Sequence, residues 1–394
     1  MSVAVHQPHQ SFLLFRGGPL FHIEQRVGLI QQNIPNIKRR ALLAILLTWV
    51  PLLILSLIQG RAYGTQVHLP LLHDFSVHAR FFLTVPLLLL AESIVGPRIA
   101  DGAEHFVKSG VIVEKDYHRF DKAVERALRL RDSRLAELII LATAYAGSVT
   151  SFFGTAVHVS TWYRDQAATA ISLTWAGWWF VLFCLPLLQF LILRWLWRLF
   201  LWFQFLNTVR KFDLQLFPAH PDEAGGLGFV GHTQRFFGIL LFAYSIGVCG
   251  TLANDIVYDK TPLQHFAYLI ALYIFFAVAI ISGPLLVFTG KLLKAKRVGL
   301  AEYGALATAY TGAFHRKWIL GENTDNEQLL GTADIRSLAE LANGFAIVEK
   351  MKPFPMDPRS LLQLIIAGLL PTAFLLLAVM PLKDLLKLLL RALV

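Results

Sequence analysis

Apolar residues in this sequence come in long unbroken runs, and seven of them reach the roughly 20 residues that cross about 30 Å of hydrocarbon. They fall at about 41–58, 79–96, 135–157, 170–193, 236–253, 266–290 and 361–380. Continuous runs argue for helices and against a membrane barrel, whose strands alternate apolar and polar positions. Pro51 and Pro86 lie inside the first two runs and predict kinks, which a membrane helix accommodates when neighbours satisfy the freed carbonyl. The expected fold is an all-α polytopic bundle of about seven transmembrane helices.

Between the runs the polar segments keep a helical period. Tyr117, Phe120, Val124 and Ala127 share one face and Glu125 stands four residues before Arg129, so the third span is expected to begin well outside the membrane. The fourth is expected to continue through Arg194 and Arg198 to about Val209, and the sixth through Lys291–Lys317. A further amphipathic helix is read at 334–350, with Ile335, Leu338, Leu341, Phe345 and Val348 on one face. Asp357-Pro358 then supplies an N-cap and a first helical position for the last span. Two amphipathic stretches are expected on the membrane surface: Ile23, Val27, Ile30 and Ile34 ahead of Lys38-Arg39-Arg40, and a tail carrying Lys383, Lys387 and Arg391. The halves 1–197 and 198–394 show no repeat, which speaks against an inverted-repeat transporter.

Composition agrees: 56% of the 394 residues are hydrophobic and only 16% charged, whereas soluble domains carry about 25% charged residues. The net charge of +10 would suggest nucleic acid in a soluble protein, yet here the basic residues flank apolar runs, so topology explains them and nucleic acid is excluded as a partner. With the N-terminus cytoplasmic, segments 1–40, 97–134, 194–235 and 291–360 hold 29 of the 36 Lys and Arg residues and the opposite side holds 7. That asymmetry predicts an N-terminus inside, with paired spans at 41–96, 135–193 and 236–290 and a last span and tail at 361–394. Cys184 and Cys249 sit within apolar runs, which predicts neither a disulfide nor a thiolate metal site. The first 40 residues lack the apolar core of a cleavable signal, so the first span is expected to serve as the membrane signal.

Ionisable residues inside spans point to function, because insertion of one costs about 2.5–3.5 kcal/mol. Glu92 and Glu137 fall near the cytoplasmic ends of the second and third spans, and Arg194 and Arg198 mark the same level on the fourth. These four are expected to meet, either as a charged mouth of an ion path or as a structural ion-pair layer. The third span is rich in small and hydroxyl residues, among them Gly147, Ser148, Ser151 and Thr155, which line a wet path or allow close packing. It is expected at the bundle centre, next to Gly247, Gly250, Thr251, Ser282 and Gly283.

The segment Phe217–Gly231 contains His220-Pro221-Asp222 and the glycines Gly225, Gly226 and Gly228, just before the fifth span. Its G-x-G-x-x-G lacks the strand and βαβ unit of a dinucleotide site, so that reading is rejected. Free amides at the start of a helix, with Arg235 one turn on, predict an anion or lipid-headgroup site. The alternative is that His220 and Asp222 cap the turn and the glycines permit close packing. On the opposite face, scattered His68, His73, His78, His158 and His265 with Asp74, Asp255 and Asp259 lack the spacing that fixes ligands on one face, and neither metal nor cofactor is assigned.

The 217–231 segment, together with the pattern Leu369-Leu370-Pro371 through Met380-Pro381 to Leu390, resembles a group of uncharacterised bacterial polytopic membrane proteins. The likeness implies a bacterial inner-membrane location and brings no activity or catalytic residue.

Three functions fit. The first is an oligomeric ion channel or small-solute pathway with Glu92, Glu137 and Arg194 at its mouth, embedded among membrane lipids. The second is a non-transporting scaffold or receptor whose cytoplasmic helices recruit a soluble partner. The third, a lipid-handling enzyme using the His220 and Asp222 loop, trails because that acid–base pair has no visible nucleophile.

Overall fold

A computed structural model describes residues 12–31, 34–154, 161–165, 172–321 and 333–379. Their helices are α1 (Pro19–Arg26), α2 (Ile37–Ile58), α3 (Phe75–Lys108), α4 (Tyr117–Arg131), α5 (Arg134–Gly154), α6 (Trp175–Val209), α7 (Gly228–Val257), α8 (Gln264–Ile319), α9 (Ala333–Lys350) and α10 (Pro358–Val379). Five of them, α2, α3, α6, α7 and α8, are long and apolar enough to cross a membrane by length and composition. Helices α5 and α10 stand where two more spans are expected, and each ends against residues outside the described set.

Side-chain contacts fix the directions. Arg40 meets Glu92 while Trp49 meets His78, so α2 and α3 are antiparallel. Helices α3 and α6 run parallel: Phe81 faces Phe180, Trp195 donates its indole N–H to the Leu88 carbonyl, and Phe106 meets Phe205. Thr84 bonds to Ala243 and Phe75 to Asn254, so α7 opposes α3.

These two parallel helices form the centre. Half of the most apolar stretch of α3 and 56% of that of α6 are buried, against 17% for α2. Helix α5 is not central, contrary to the sequence expectation; among its described side chains only Ala144 and Ser148 are buried. Its hydroxyls need no neighbour, because Thr143, Ser148 and Thr150 donate to their own helix four residues back. Gly247 and Gly250 pack on α3 instead of α5: a Cβ at Gly250 would lie 2.5 Å from that of Ala79.

Three further expectations are corrected. Helices α4 and α5 are separate, with the Ser133 hydroxyl accepting the Ala136 amide as a cap. The stripe at 23–34 is not one helix: α1 stops at Arg26, Gly28 takes a φ of +76°, and Ile30–Gln31 pairs antiparallel with Ile34–Pro35. A local repeat, invisible in a comparison of halves, links α3 and α6. Each opens on a capping side chain, Asp74 or Thr174, passes through a π-helical turn at Ala79–Thr84 or Phe180–Cys184, and continues after Pro86 or Pro186. Proline removes a backbone donor, and a wide turn just before it absorbs the mismatch.

Other expectations stand. Helices α6 and α8 are continuous well past their apolar runs. Helix α9 spans 333–350 and packs antiparallel on α8, with the Gly299 region against Val348 and Tyr310 bonded to the Asp334 carbonyl. Asp357 accepts the Ser360 amide and hydroxyl, capping α10.

Candidate functional site

Asn36 starts α2 by accepting the Arg39 amide, and the first turn then aims Arg40 into the bundle, where it is 3% exposed. Arg40 Nη1 donates to Glu92 Oε2 at 2.8 Å, and its Nε and Nη2 donate to Glu24 Oε1 at 3.2 and 2.9 Å. Arg198 Nη1 donates to Glu92 Oε1 at 2.7 Å. Arg194 lies 3.5 Å from the same oxygen but forms no hydrogen bond through Nη1. Glu92, Arg40, Arg194 and Arg198 are all at least nine-tenths buried. Isolated charges at this depth would be too costly, so the layer persists because both Glu92 oxygens are met by guanidiniums and Arg40 also reaches Glu24 Oε1.

The N-terminal segment closes this layer. Phe12 packs on Trp202 and Phe205, Leu14 is fully buried, and Phe15 lies 5.0 Å from Trp195. The Arg198 guanidinium sits 4.8 Å over the Phe15 ring. Arg131 holds the segment by donating to the Leu13 carbonyl.

Of the four charges expected to meet, the structure joins Glu92, Arg194 and Arg198. Glu137 stands beside them without bonding to them: it lines a small cavity with Arg194 and Arg198, while its carboxylate accepts the Leu20 amide at 3.2 Å and anchors the start of α1. Arg40 and Glu24 take part unforeseen. Burial pushes the Glu24 carboxyl above its ordinary pKa, with Arg40 opposing the shift. Ser148 is fully buried and bonded to Ala144, so it lines no path. The side chain of Ser151 and all of Thr155 lie outside the described residues, as do His158 and the 380–394 tail.

The expected anion site is occupied from within. Asp222 Oδ1 accepts the amides of Ala224 and Gly226 at 2.8 and 3.1 Å, and Oδ2 accepts that of Gly228 at 2.8 Å. His220 Nδ1 lies 2.8 Å from Asp222 Oδ1. Gly225 and Gly226 adopt φ of +63° and +94°, which turns these donors inward. Arg235 turns its guanidinium over Phe236 rather than toward the loop. The segment is a joint: Glu223 accepts the Lys352 amide and pairs with its ammonium at 2.7 Å, and a Cβ at Gly231 would lie 2.3 Å from the Pro355 carbonyl oxygen. The headgroup assignment to His220, Asp222, Gly225, Gly226, Gly228 and Arg235 is therefore corrected to a packing element, because the loop's own carboxylate uses the donors.

At the other end of the bundle Asp74, 4% exposed, accepts from the Val77 amide, Asn254 and the Trp162 indole. Arg80 donates to Thr251. His78 is engaged by Trp49 and the Leu72 carbonyl. Among the described residues no group of three or more His, Cys, Asp or Glu side chains is placed to hold a metal ion. No family model matches this sequence, and no curated protein or solved structure matches it.

Proposed function

We propose that the chain is a non-conducting membrane scaffold whose projecting helices recruit a soluble partner, rather than a channel. The observation that carries this reading is the closed charge layer. Where a path would need its mouth, both Glu92 oxygens are taken by Arg40 and Arg198, and Phe12, Leu14, Phe15 and Trp195 fill the surroundings. Conduction needs a continuous polar cavity, whereas two roomy clefts among the described residues, of about 470 and 1030 Å³, are lined mostly by apolar side chains.

The charge asymmetry supports the orientation. The layer lies at the end of the bundle that carries most Lys and Arg, which the positive-inside rule makes cytoplasmic, in keeping with a bacterial inner membrane. On this reading the hairpin of α8 and α9 extends into the cytoplasm. Its outer surface, with exposed Leu306, Ile319 and Ile335 among Arg336 and Glu340, is the partner-facing part. The homo-oligomer belongs to the channel reading and is not required here.

A second reading, a pathway gated from inside, is favoured by the insertion of residues 12–15 into the charge layer. Potassium and chloride flux into proteoliposomes separates the two, using the full chain, a chain lacking residues 1–18, and Phe15→Ala, which loosens the plug without deleting it. The scaffold reading expects no flux above empty vesicles from any of them. Flux from the truncated chain or Phe15→Ala alone would establish the gated pathway instead, and flux from the full chain would overturn the scaffold outright.

A further inference from the structure

The larger cleft runs along the outside of α3, between α2, α7 and α10, and its volume is about 1030 Å³. Two prolines line it. Pro86 follows the π-helical turn of α3, and Pro371 lies inside α10. The residues that α3 contributes extend from Phe75 to Leu90. At about 1.5 Å per residue that is on the order of 22 Å, longer than half of a hydrocarbon core of about 30 Å. Leu83 on its wall is half exposed, and Ala253 lines it from α7.

One end is charged. Lys38 lines the cleft at the start of α2 and is exposed, as is Arg39 beside it, while the next residue, Arg40, turns inward to Glu92. Among the described residues neither Lys38 nor Arg39 is ion-paired. A long apolar cleft at hydrocarbon depth, with the Lys38 ammonium at one end and the exposed Arg39 next to it in the chain, matches the chemistry of one molecule: an anionic glycerophospholipid.

We propose that this cleft is a specific binding site for an anionic phospholipid, with an acyl chain along Phe82, Leu83 and Pro86 and the phosphate at Lys38 and Arg39. Bulk lipid already solvates an acyl chain, so the hydrophobic effect gives no preference here; close packing in the cleft supplies retention and the two cations supply selectivity. The proposal requires only that these helices cross a membrane, and it is independent of whether the protein is a scaffold.

Native mass spectrometry of the full chain in detergent tests it, with phosphatidylglycerol and phosphatidylcholine of matched chains as probes. One phosphatidylglycerol should be retained, with a preference of roughly tenfold over phosphatidylcholine. Lys38→Gln with Arg39→Gln should reduce the preference to about unity. Leu83→Gln, a mild change at a half-exposed position, and Ala253→Phe, which fills the cleft, should both abolish retention of either lipid while leaving the melting temperature close to that of the unaltered chain. Equal retention of both lipids by the unaltered chain would overturn the proposal, as would retention unaffected by Leu83→Gln and Ala253→Phe. Retention that appears only after removal of residues 380–394 would show that the chain's own tail occupies the cleft. A dimer lost on Leu83→Gln would show that a second copy does.

Discussion

Replacing Glu92 with glutamine is expected to destabilise the protein by about 3–5 kcal/mol, the cost of leaving buried charges without their partner. Glu92 accepts from Arg40 and Arg198 at once and lies near Arg194, so its loss leaves three guanidiniums facing one another with only Glu24 to compensate. The effect should be strongly non-additive. Arg198→Gln made in the Glu92→Gln background should cost less than the same change made alone, with a coupling of about 1–3 kcal/mol. Equilibrium unfolding of the four proteins in mixed micelles measures it. Strict additivity would mean that Glu92 and Arg198 do not share a network.

Asp222→Asn is expected to cost about 2–3 kcal/mol, because a carboxylate that accepts three backbone amides is replaced by a neutral side chain with one acceptor oxygen. Burial alone would raise the Asp222 pKa, but the amides of Gly228, Ala224 and Gly226 outweigh it and hold the carboxyl below its ordinary range. A depressed folded-state pKa gives stability that is present above the unfolded value of about 3.9 and lost as pH falls through the folded value. The advantage of the unaltered chain over Asp222→Asn should therefore be complete at neutral pH and shrink in acid below about pH 4. Unfolding measured across that interval checks the sign; an advantage that grows in acid would contradict the hydrogen-bond assignment.

What the sequence made legible was local. The Asp357-Pro358 cap, the helix at 333–350 and the continuation of α6 and α8 beyond their apolar runs all depend on neighbours a few residues apart. The meeting of Glu92 with Arg194 and Arg198 was legible because span direction sets depth. What escaped depends on orientation about a helix axis. Lys38, Arg39 and Arg40 read as one interfacial cluster, yet about 100° of rotation per residue leaves the first two exposed and buries the third. Glu24 lay hidden in an apparent amphipathic stripe that the chain breaks at Gly28. The 217–231 loop shows the same limit: its donors were visible, but only the two left-handed glycines reveal that they close on Asp222. Span three looked central because its hydroxyls looked needy, and bonding within the helix removes that need.

The central claim is that the charge layer is closed and dry, and the indole N–H of Trp195 reports on it directly. Trp195 is 4% exposed, donates to the Leu88 carbonyl at 3.2 Å and lies beside the Arg198 guanidinium. Its exchange with deuterated water, followed by nitrogen-resolved NMR of the full chain in micelles and assigned with Trp195→Phe, should be strongly protected and should accelerate in Glu92→Gln. Exchange of the unaltered protein as fast as that of an exposed indole such as Trp178 would mean that water fills the layer, and the closed-scaffold account would fail.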